Sequence, residues 1–261
     1  MTVGLLYIAT GKYSIFWKDF YLTAQQYLFP KTEKKFFVFT DLDSVYGENS
    51  DRNIIRTHIP HKEWPYNTLL RFEIFDNNKH LFEGCDYLLF FNANTIFTEK
   101  INLDEILPNE EDGFLVALSN NDVFDISPNE FTYDRNPDSL AYIPFGEGER
   151  YYRGCFNGGR TSEFLTLIKI CRERTDKDLQ TNVIALWHDE SHLNKYLLDK
   201  SVKIVGTEYG KAEEWKKPKK AKIIFIDKAK IKELTEFKKL APKQYSLKRF
   251  IRKLMSKITK H

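Results

Sequence analysis

The stretch DYLLFFNANTIF, residues 86–97, decides the fold. Tyr87 to Phe91 are apolar without a break and rich in aromatics, the pattern of a strand buried on both faces. The run stops at Asn92-Ala93-Asn94, two neutral amides around a small residue. Working outward, VGLLYIAT (3–10) reads as a first strand, KFFVFTDLD (35–43) as a second running into a turn, and GFLVAL (113–118) as a later one. Between them IFWKDFYLTAQQYLF (15–29) has helical spacing, and NTLLRFEIFDNNKHLFEG (67–84) reads as one helix with Asn67 as N-cap and Gly84 as stop. Helices near 161–174 and 190–198 and strands near 202–206 and 222–226 follow. Strands alternating with helices predict an α/β domain with a mainly parallel sheet, whose ligands bind at the carboxyl ends of the strands. Asn92 and Asn94 lie at such an end.

Composition bounds the rest. Hydrophobic residues make up 42% of 261, with 21 Phe, 14 Tyr and 4 Trp, enough for a sizeable core. The run TVGLLYIATG is too short to span a bilayer and has neither the basic start nor the small-residue cleavage site of a signal peptide. Three cysteines without metal-ligand spacing then predict a reducing, cytoplasmic setting. Charge is uneven. From residue 237 onward there are nine Lys or Arg and no acid, which leaves the body with 31 basic against 37 acidic residues. An acidic body argues against nucleic-acid binding. In YSLKRFIRKLMSKITKH (245–261), Leu247, Phe250, Ile251, Leu254, Met255 and Ile258 recur at spacings of three and four. That is a basic amphipathic helix, suited to an anionic membrane surface or else docked on its own domain.

Several segments carry candidate chemistry. WHDESHLNKYLL (187–198) sets two carboxylates and two imidazoles beside a Trp, a group suited to proton transfer or to stabilising a cationic transition state. At a helix start, Asp189 or Glu190 could equally serve the dipole. His188 and His192 stand at i, i+4, a spacing shared with zinc helices, but no further ligand is evident. Residues 119–160 are irregular and aromatic, a combination that points to function rather than disorder. The glycines of FNGGR could bring backbone close to a ligand. The turn IATGKY after the first strand, with Tyr13, is either a nucleotide-facing loop or an ordinary strand-to-helix turn. Arg71 either meets a phosphate or pairs with Glu73 or Asp76.

Together DYLLFFNAN, EFTYDRNPDSLAYIP, EGERYYRGCFNGG and WHDESHLNKYLL resemble glycosyltransferase family 6, which includes the blood-group A and B transferases and the α1,3-galactosyltransferases. The resemblance runs from about residue 3 to 210. It implies a GT-A fold, Rossmann-like, with a catalytic domain over 1–235 and the basic tail over 236–261. It also implies retaining α1,3 transfer of galactose or N-acetylgalactosamine from a UDP-sugar to a galactose-containing glycan, such as a fucosylated or lipid-linked one. A catalytically inactive UDP-sugar- or carbohydrate-binding protein of the same fold is the alternative.

By motif position, Ile8, Ala9, Thr10 and Tyr13 match the uridine-binding turn, and Arg71 an arginine near the donor diphosphate. Asn92, Ala93 and Asn94 match the metal-binding Asp-x-Asp of animal members, whereas bacterial relatives carry Asn-x-Asn and are expected to need no metal. Asp189 matches a donor-sugar contact and Glu190 the carboxylate at the β face of the anomeric carbon. Asn120, Thr132, Trp187 and His188 fall at acceptor positions. Asn120 replaces the usual histidine in NNDVF, which puts the usual fucosylated acceptor in question. Cys155 stands where a small residue leaves room for an N-acetyl group, which favours galactose. Lys211, Lys216 and Lys217 are either a closing flap or a solvated loop. No cofactor and no metal are expected, and the tail is expected to hold the protein at the inner face of the cytoplasmic membrane.

Overall fold

The computed structural model describes residues 1–119, 121, 127–231 and 234. The strands are β1 (Thr2–Ile8), β2 (Glu33–Thr40), β3 (Ile54–His58), β4 (Tyr87–Phe91), β5 (Thr95–Phe97), β6 (Leu115–Ser119), β7 (Tyr152–Arg160), β8 (Lys203–Val205), β9 (Lys211–Ala212) and β10 (Ile223–Phe225). The helices are α1 (Trp17–Tyr27), α2 (Tyr66–Leu69), α3 (Arg71–Asn77), α4 (Leu103–Ile106), α5 (Thr161–Gln180) and α6 (Asp189–Leu197). Seven strands form one sheet in the order β3-β2-β1-β4-β7-β6-β8, and β5-β10-β9 form a smaller one. In the large sheet β7 alone runs against its neighbours β4 and β6, and every other pairing is parallel. This mainly parallel sheet flanked by helices is the α/β architecture that the sequence predicts, and it is consistent with a GT-A-like fold.

β4 is the strand quoted first, and Leu88 to Phe91 are almost wholly buried. Phe91 stacks on Phe156 of β7 at 4.5 Å, a pair worth about 1 kcal/mol beyond its buried area. The predicted helix over 67–84 is instead broken into α2, α3 and a 3-10 turn at Lys79–Phe82. Asn67 does not cap it. Its side-chain oxygen accepts from the Lys62 amide at 2.8 Å. Gly84 does end the segment, at φ +77, where a side chain would be strained.

β7 lies in the segment read from sequence as irregular. Its glycines explain both the oversight and the need for them. A Cβ on Gly158 would stand 2.3 Å from the Leu88 carbonyl, and one on Gly159 2.4 Å from that of Phe114. The pair therefore admits neighbouring backbone, not a ligand.

The chain divides into Met1–Ile226 and Asp227–His261. In the second unit, Asp227 caps a 3-10 turn at Lys228–Lys230 by accepting from the Ala229 amide at 2.8 Å. The amphipathic helix predicted over 245–261 lies outside the described residues. No helix among the described residues is long and apolar enough to cross a membrane.

Candidate active site

The site begins with an irregularity in β7. Ala117 of β6 pairs with Asn157, but Leu118 pairs with Arg153, so Gly154, Cys155 and Phe156 bulge out of register with β6. Bulges of this kind re-aim backbone beside active sites. Here the Gly154 amide donates to Glu190 Oε2 at 2.6 Å. The Gly154 carbonyl accepts from Arg71 Nη1 at 2.6 Å and from Asn157 Nδ2 at 3.1 Å. A Cβ at 154 would stand 3.1 Å from the Cβ of Glu190, so glycine makes this approach possible.

α6 brings the acids. His188 precedes it with φ 55 and ψ −123, a backbone conformation that costs on the order of 1–3 kcal/mol and is kept mainly at functional sites. Asp189 and Glu190 then occupy the first turn, where the helix dipole favours them. Glu190 Oε1 accepts a short hydrogen bond from the Tyr151 hydroxyl, and Thr132 hydrogen-bonds the same phenol. Burial and the adjoining carboxylate push the Tyr151 phenol well above its ordinary range, so it remains a donor.

Asp189 is buried against Arg71, with Oδ2 2.9 Å from Nη2. The two are close but not aligned as a hydrogen bond, and Arg71 Nε is buried without a partner. The guanidinium lies over Phe90 at 4.2 Å and Phe72 at 4.7 Å. Burial pushes the Asp189 carboxyl up to about 6 against the pull of Arg71, and pulls Arg71 down from its ordinary value. Arg71 thus pairs with neither Glu73 nor Asp76. Asp76 meets Arg172 and Lys79 instead.

His188 is buried edge-on to Trp64, ring centres 5.3 Å apart, and burial lowers its pKa. Trp187 and Trp64 are exposed beside it. His192 faces inward, fully buried, with Nε2 3.7 Å from Asp178. The two histidines therefore do not form a helical metal pair. No group of three or more His, Cys, Asp or Glu among the described residues is placed to hold a metal.

At the carboxyl end of β4, the Asn92 amide donates to the Cys155 carbonyl at 2.9 Å, and the Ala93 carbonyl accepts from the Tyr7 hydroxyl at 3.1 Å. Asn94 is tied to Ile226 in both directions: its Nδ2 donates to that carbonyl and its own carbonyl accepts from that amide, each at 2.8 Å. Its Oδ1 is buried without a partner. Two neutral amides, one already committed to backbone, are a poor donor set for Mg²⁺ or Mn²⁺, which favour carboxylates. Cys155 is buried beside them, and burial raises its thiol pKa.

The β1 turn is more open. Ala9 extends the pairing with Phe39, and Thr10 Oγ1 is 2.9 Å from His61 Nδ1. The Gly11 amide donates to both oxygens of Asp41, at 2.9 and 3.0 Å. Gly11 has φ +56, and a Cβ there would press on the His61 ring at 3.0 Å. Tyr13 is exposed, and desolvation of its hydroxyl raises the pKa. Beside Ile8 a cavity of about 240 Å³ is lined by Ile59, Lys62, Tyr66, Asn67 and Leu70. A cavity of about 420 Å³ between Tyr133, Arg150, Tyr152 and Lys200 contains none of the predicted site residues.

Of the predicted residues, the structure brings Arg71, Asp189, Glu190, Cys155, Asn92 and Thr132 together around β7. Ile8, Ala9, Thr10 and Tyr13 lie at the end of β1. Asn120 lies outside the described residues. Of the suggested flap lysines, Lys211 is on β9, while Lys216 and Lys217 are exposed just beyond it.

The family model described as "Glycosyltransferase family 6" matches residues 1–237. The chain belongs to glycosyltransferase family 6. Within that family, it is 34% identical over 228 residues to the O-antigen biosynthesis glycosyltransferase WbnI of Escherichia coli, covering 87% of this chain and 95% of WbnI. It is 32% identical over 215 residues to histo-blood group ABO system transferase 2 of Rattus norvegicus, covering 80% of this chain and 63% of that protein. With globoside alpha-1,3-N-acetylgalactosaminyltransferase 1 of Gallus gallus, identity is 28% over 235 residues, covering 87% and 66%. The chain thus spans nearly all of the bacterial relative and just under two thirds of the two animal ones. As a family 6 glycosyltransferase it pairs a nucleotide-sugar donor with a glycan acceptor.

Sequence reasoning missed Tyr151, Gly154, Asp41, His61 and Trp64. Asp41 was within reach, because it follows the end of a strand just as Asn92 does. Gly154 acquires its role only through the bulge, and Tyr151 only through the approach of α6, neither of which any residue pattern announced.

Proposed function

We propose that this family 6 enzyme transfers galactose from UDP-galactose, with retention and in α1,3 linkage, to a galactose-containing bacterial surface glycan, without a metal. One observation carries the reading. Glu190 is presented at the start of α6 with its carboxylate held by Tyr151 and the Gly154 amide, beside the buried Arg71–Asp189 pair. A fixed anion of this kind suits a sugar centre that turns cationic as its bond to UDP breaks.

In the reaction the anomeric C–O bond to the diphosphate breaks and its electron pair leaves with UDP. The acceptor hydroxyl oxygen forms the new bond on the face UDP has left, and its proton passes to a departing phosphate oxygen or to solvent. Glu190 either stabilises the oxocarbenium-like centre from the opposite face or bonds to it transiently. The departing charge is balanced by Lys, Arg and amide donors, in keeping with the neutral Asn92 and Asn94.

Buried Cys155 supports galactose, because its side chain would crowd an N-acetyl group. Asn120, in place of histidine, supports an acceptor other than the usual fucosylated galactose. The basic tail supports a lipid-linked acceptor, since it would hold the enzyme at an anionic membrane surface.

UDP release tests the reading, with UDP-galactose and UDP-N-acetylgalactosamine, each with EDTA and with Mn²⁺, and with a galactose-terminated oligosaccharide as acceptor. Turnover of UDP-galactose undiminished by EDTA is expected. Turnover only with Mn²⁺ would overturn the metal-free reading, and preference for the N-acetylated donor would overturn the role given to Cys155.

A further inference from the structure

Asn194 lies one helical turn beyond Glu190 on α6 and is about 1% exposed. A buried carboxamide is costly where its polar atoms lack partners, and here both Oδ1 and Nδ2 have them. Its Oδ1 accepts from the Tyr152 amide at 2.8 Å, and its Nδ2 donates to the Tyr152 carbonyl at 2.7 Å. The same Nδ2 donates to the Glu190 carbonyl at 2.8 Å. The pairing of β4 with β7 ends at Phe91–Phe156, so β4 provides no partner for Tyr152. The carboxamide makes the two bonds that a neighbouring strand would make.

We infer that Asn194 is the positioning residue for Glu190. It ties the start of α6 to β7 between Tyr151, which donates to Glu190 Oε1, and the bulge at Gly154, which donates to Oε2. Three hydrogen bonds from two atoms of one side chain thus hold the helix that carries the acid at a set distance from the start of β7, where its two donors lie. Without them the Glu190 backbone is released by one hydrogen bond and Tyr152 by two. The carboxylate can then drift from the reacting carbon, and small displacements in such sites are costly to rate. The nucleotide-facing turn at the end of β1 shares none of these bonds, so donor affinity should survive. The inference rests on the glycosyl-transfer reading, in which Glu190 meets the sugar.

The test compares wild type, N194A and N194D in three measurements: kcat for UDP-galactose per folded molecule, UDP affinity by calorimetry, and thermal midpoint. N194A should lose at least tenfold in kcat while UDP affinity stays within twofold. N194D keeps the accepted bond but aims a carboxylate at two carbonyls at neutral pH. When protonated, it regains one donor. Its kcat relative to wild type should therefore rise severalfold from pH 8 to pH 6, a signature that loss of stability alone would not produce. N194D is near-isosteric, so the comparison survives if N194A fails to fold. Wild-type kcat in the folded variants, or UDP affinity falling in step with kcat, would overturn the assignment. Absence of turnover in wild type with either UDP-sugar would overturn the transfer reading and this assignment with it.

Discussion

Around Glu190 both carboxylate oxygens are occupied, one by Gly154 of β7 and the other by Tyr151 just before that strand, and Arg71, Asp189 and Asn194 are buried. At the end of β1, Tyr13 stands exposed, and exposed Tyr66 lines the cavity beside Ile8. On the proposed reading, the first region is arranged before the donor arrives, and the second is left open for its nucleotide. The contrast follows from what each must do. An anion that meets developing positive charge gains most when it is fixed and desolvated, because nothing has to reorganise as the bond breaks. A nucleotide must enter and leave, so its surfaces have to open to solvent.

The sharpest way to break this contrast is E190Q. It keeps the shape and removes the charge, so transfer should fall about 1000-fold while UDP affinity changes little. Near-normal transfer by E190Q, measured as sugar incorporated into acceptor, would remove the catalytic corner from the reaction. Next in size is Y151F, which deletes one donor to a charged oxygen and should lower kcat about 10- to 100-fold, with UDP affinity within about threefold. An equal loss in both would place Tyr151 in donor binding instead.

The third effect depends on pH. Burial holds the Asp189 carboxyl up to about 6, so on acidification it takes a proton as pH falls through 6 and its ionic pairing with Arg71 is lost. A raised carboxylate pKa brings this loss to a higher pH than an exposed Asp would, so kcat should decline below about pH 6. A profile flat from pH 8 to 5 would show that the charge on Asp189 is dispensable. The smallest effect belongs to the open region. T10V removes the hydroxyl that meets His61 and should weaken UDP by about fivefold with kcat unchanged. A fall in kcat with affinity intact would mean that the two regions are coupled.

Much of this protein was legible in its residues. The unbroken apolar run of β4 and the alternation of strands and helices predicted the sheet, and WHDESHLNKYLL marked the acids before any geometry was known. The breaks within residues 67–84 are not legible, because the apolar spacing continues across α2, α3 and the 3-10 turn. β7 is not legible, because Gly154, Gly158 and Gly159 look like loop residues until the neighbouring backbones are in place.

Read alone, the residues already carry the α/β class, the candidate acids and the neutral amides at the end of β4, since periodicity and residue chemistry are local properties, while the family was legible only through the resemblance of its long motifs. Which partners those residues have depends on the fold. Arg71 turns to Asp189 rather than to Glu73, Asn94 spends its amide on Ile226, and a bulge frees Gly154 to hold Glu190 and Arg71. The physical reason is that a buried polar group takes its partner from whatever the fold places within about 3 Å, and those neighbours come from distant parts of the chain.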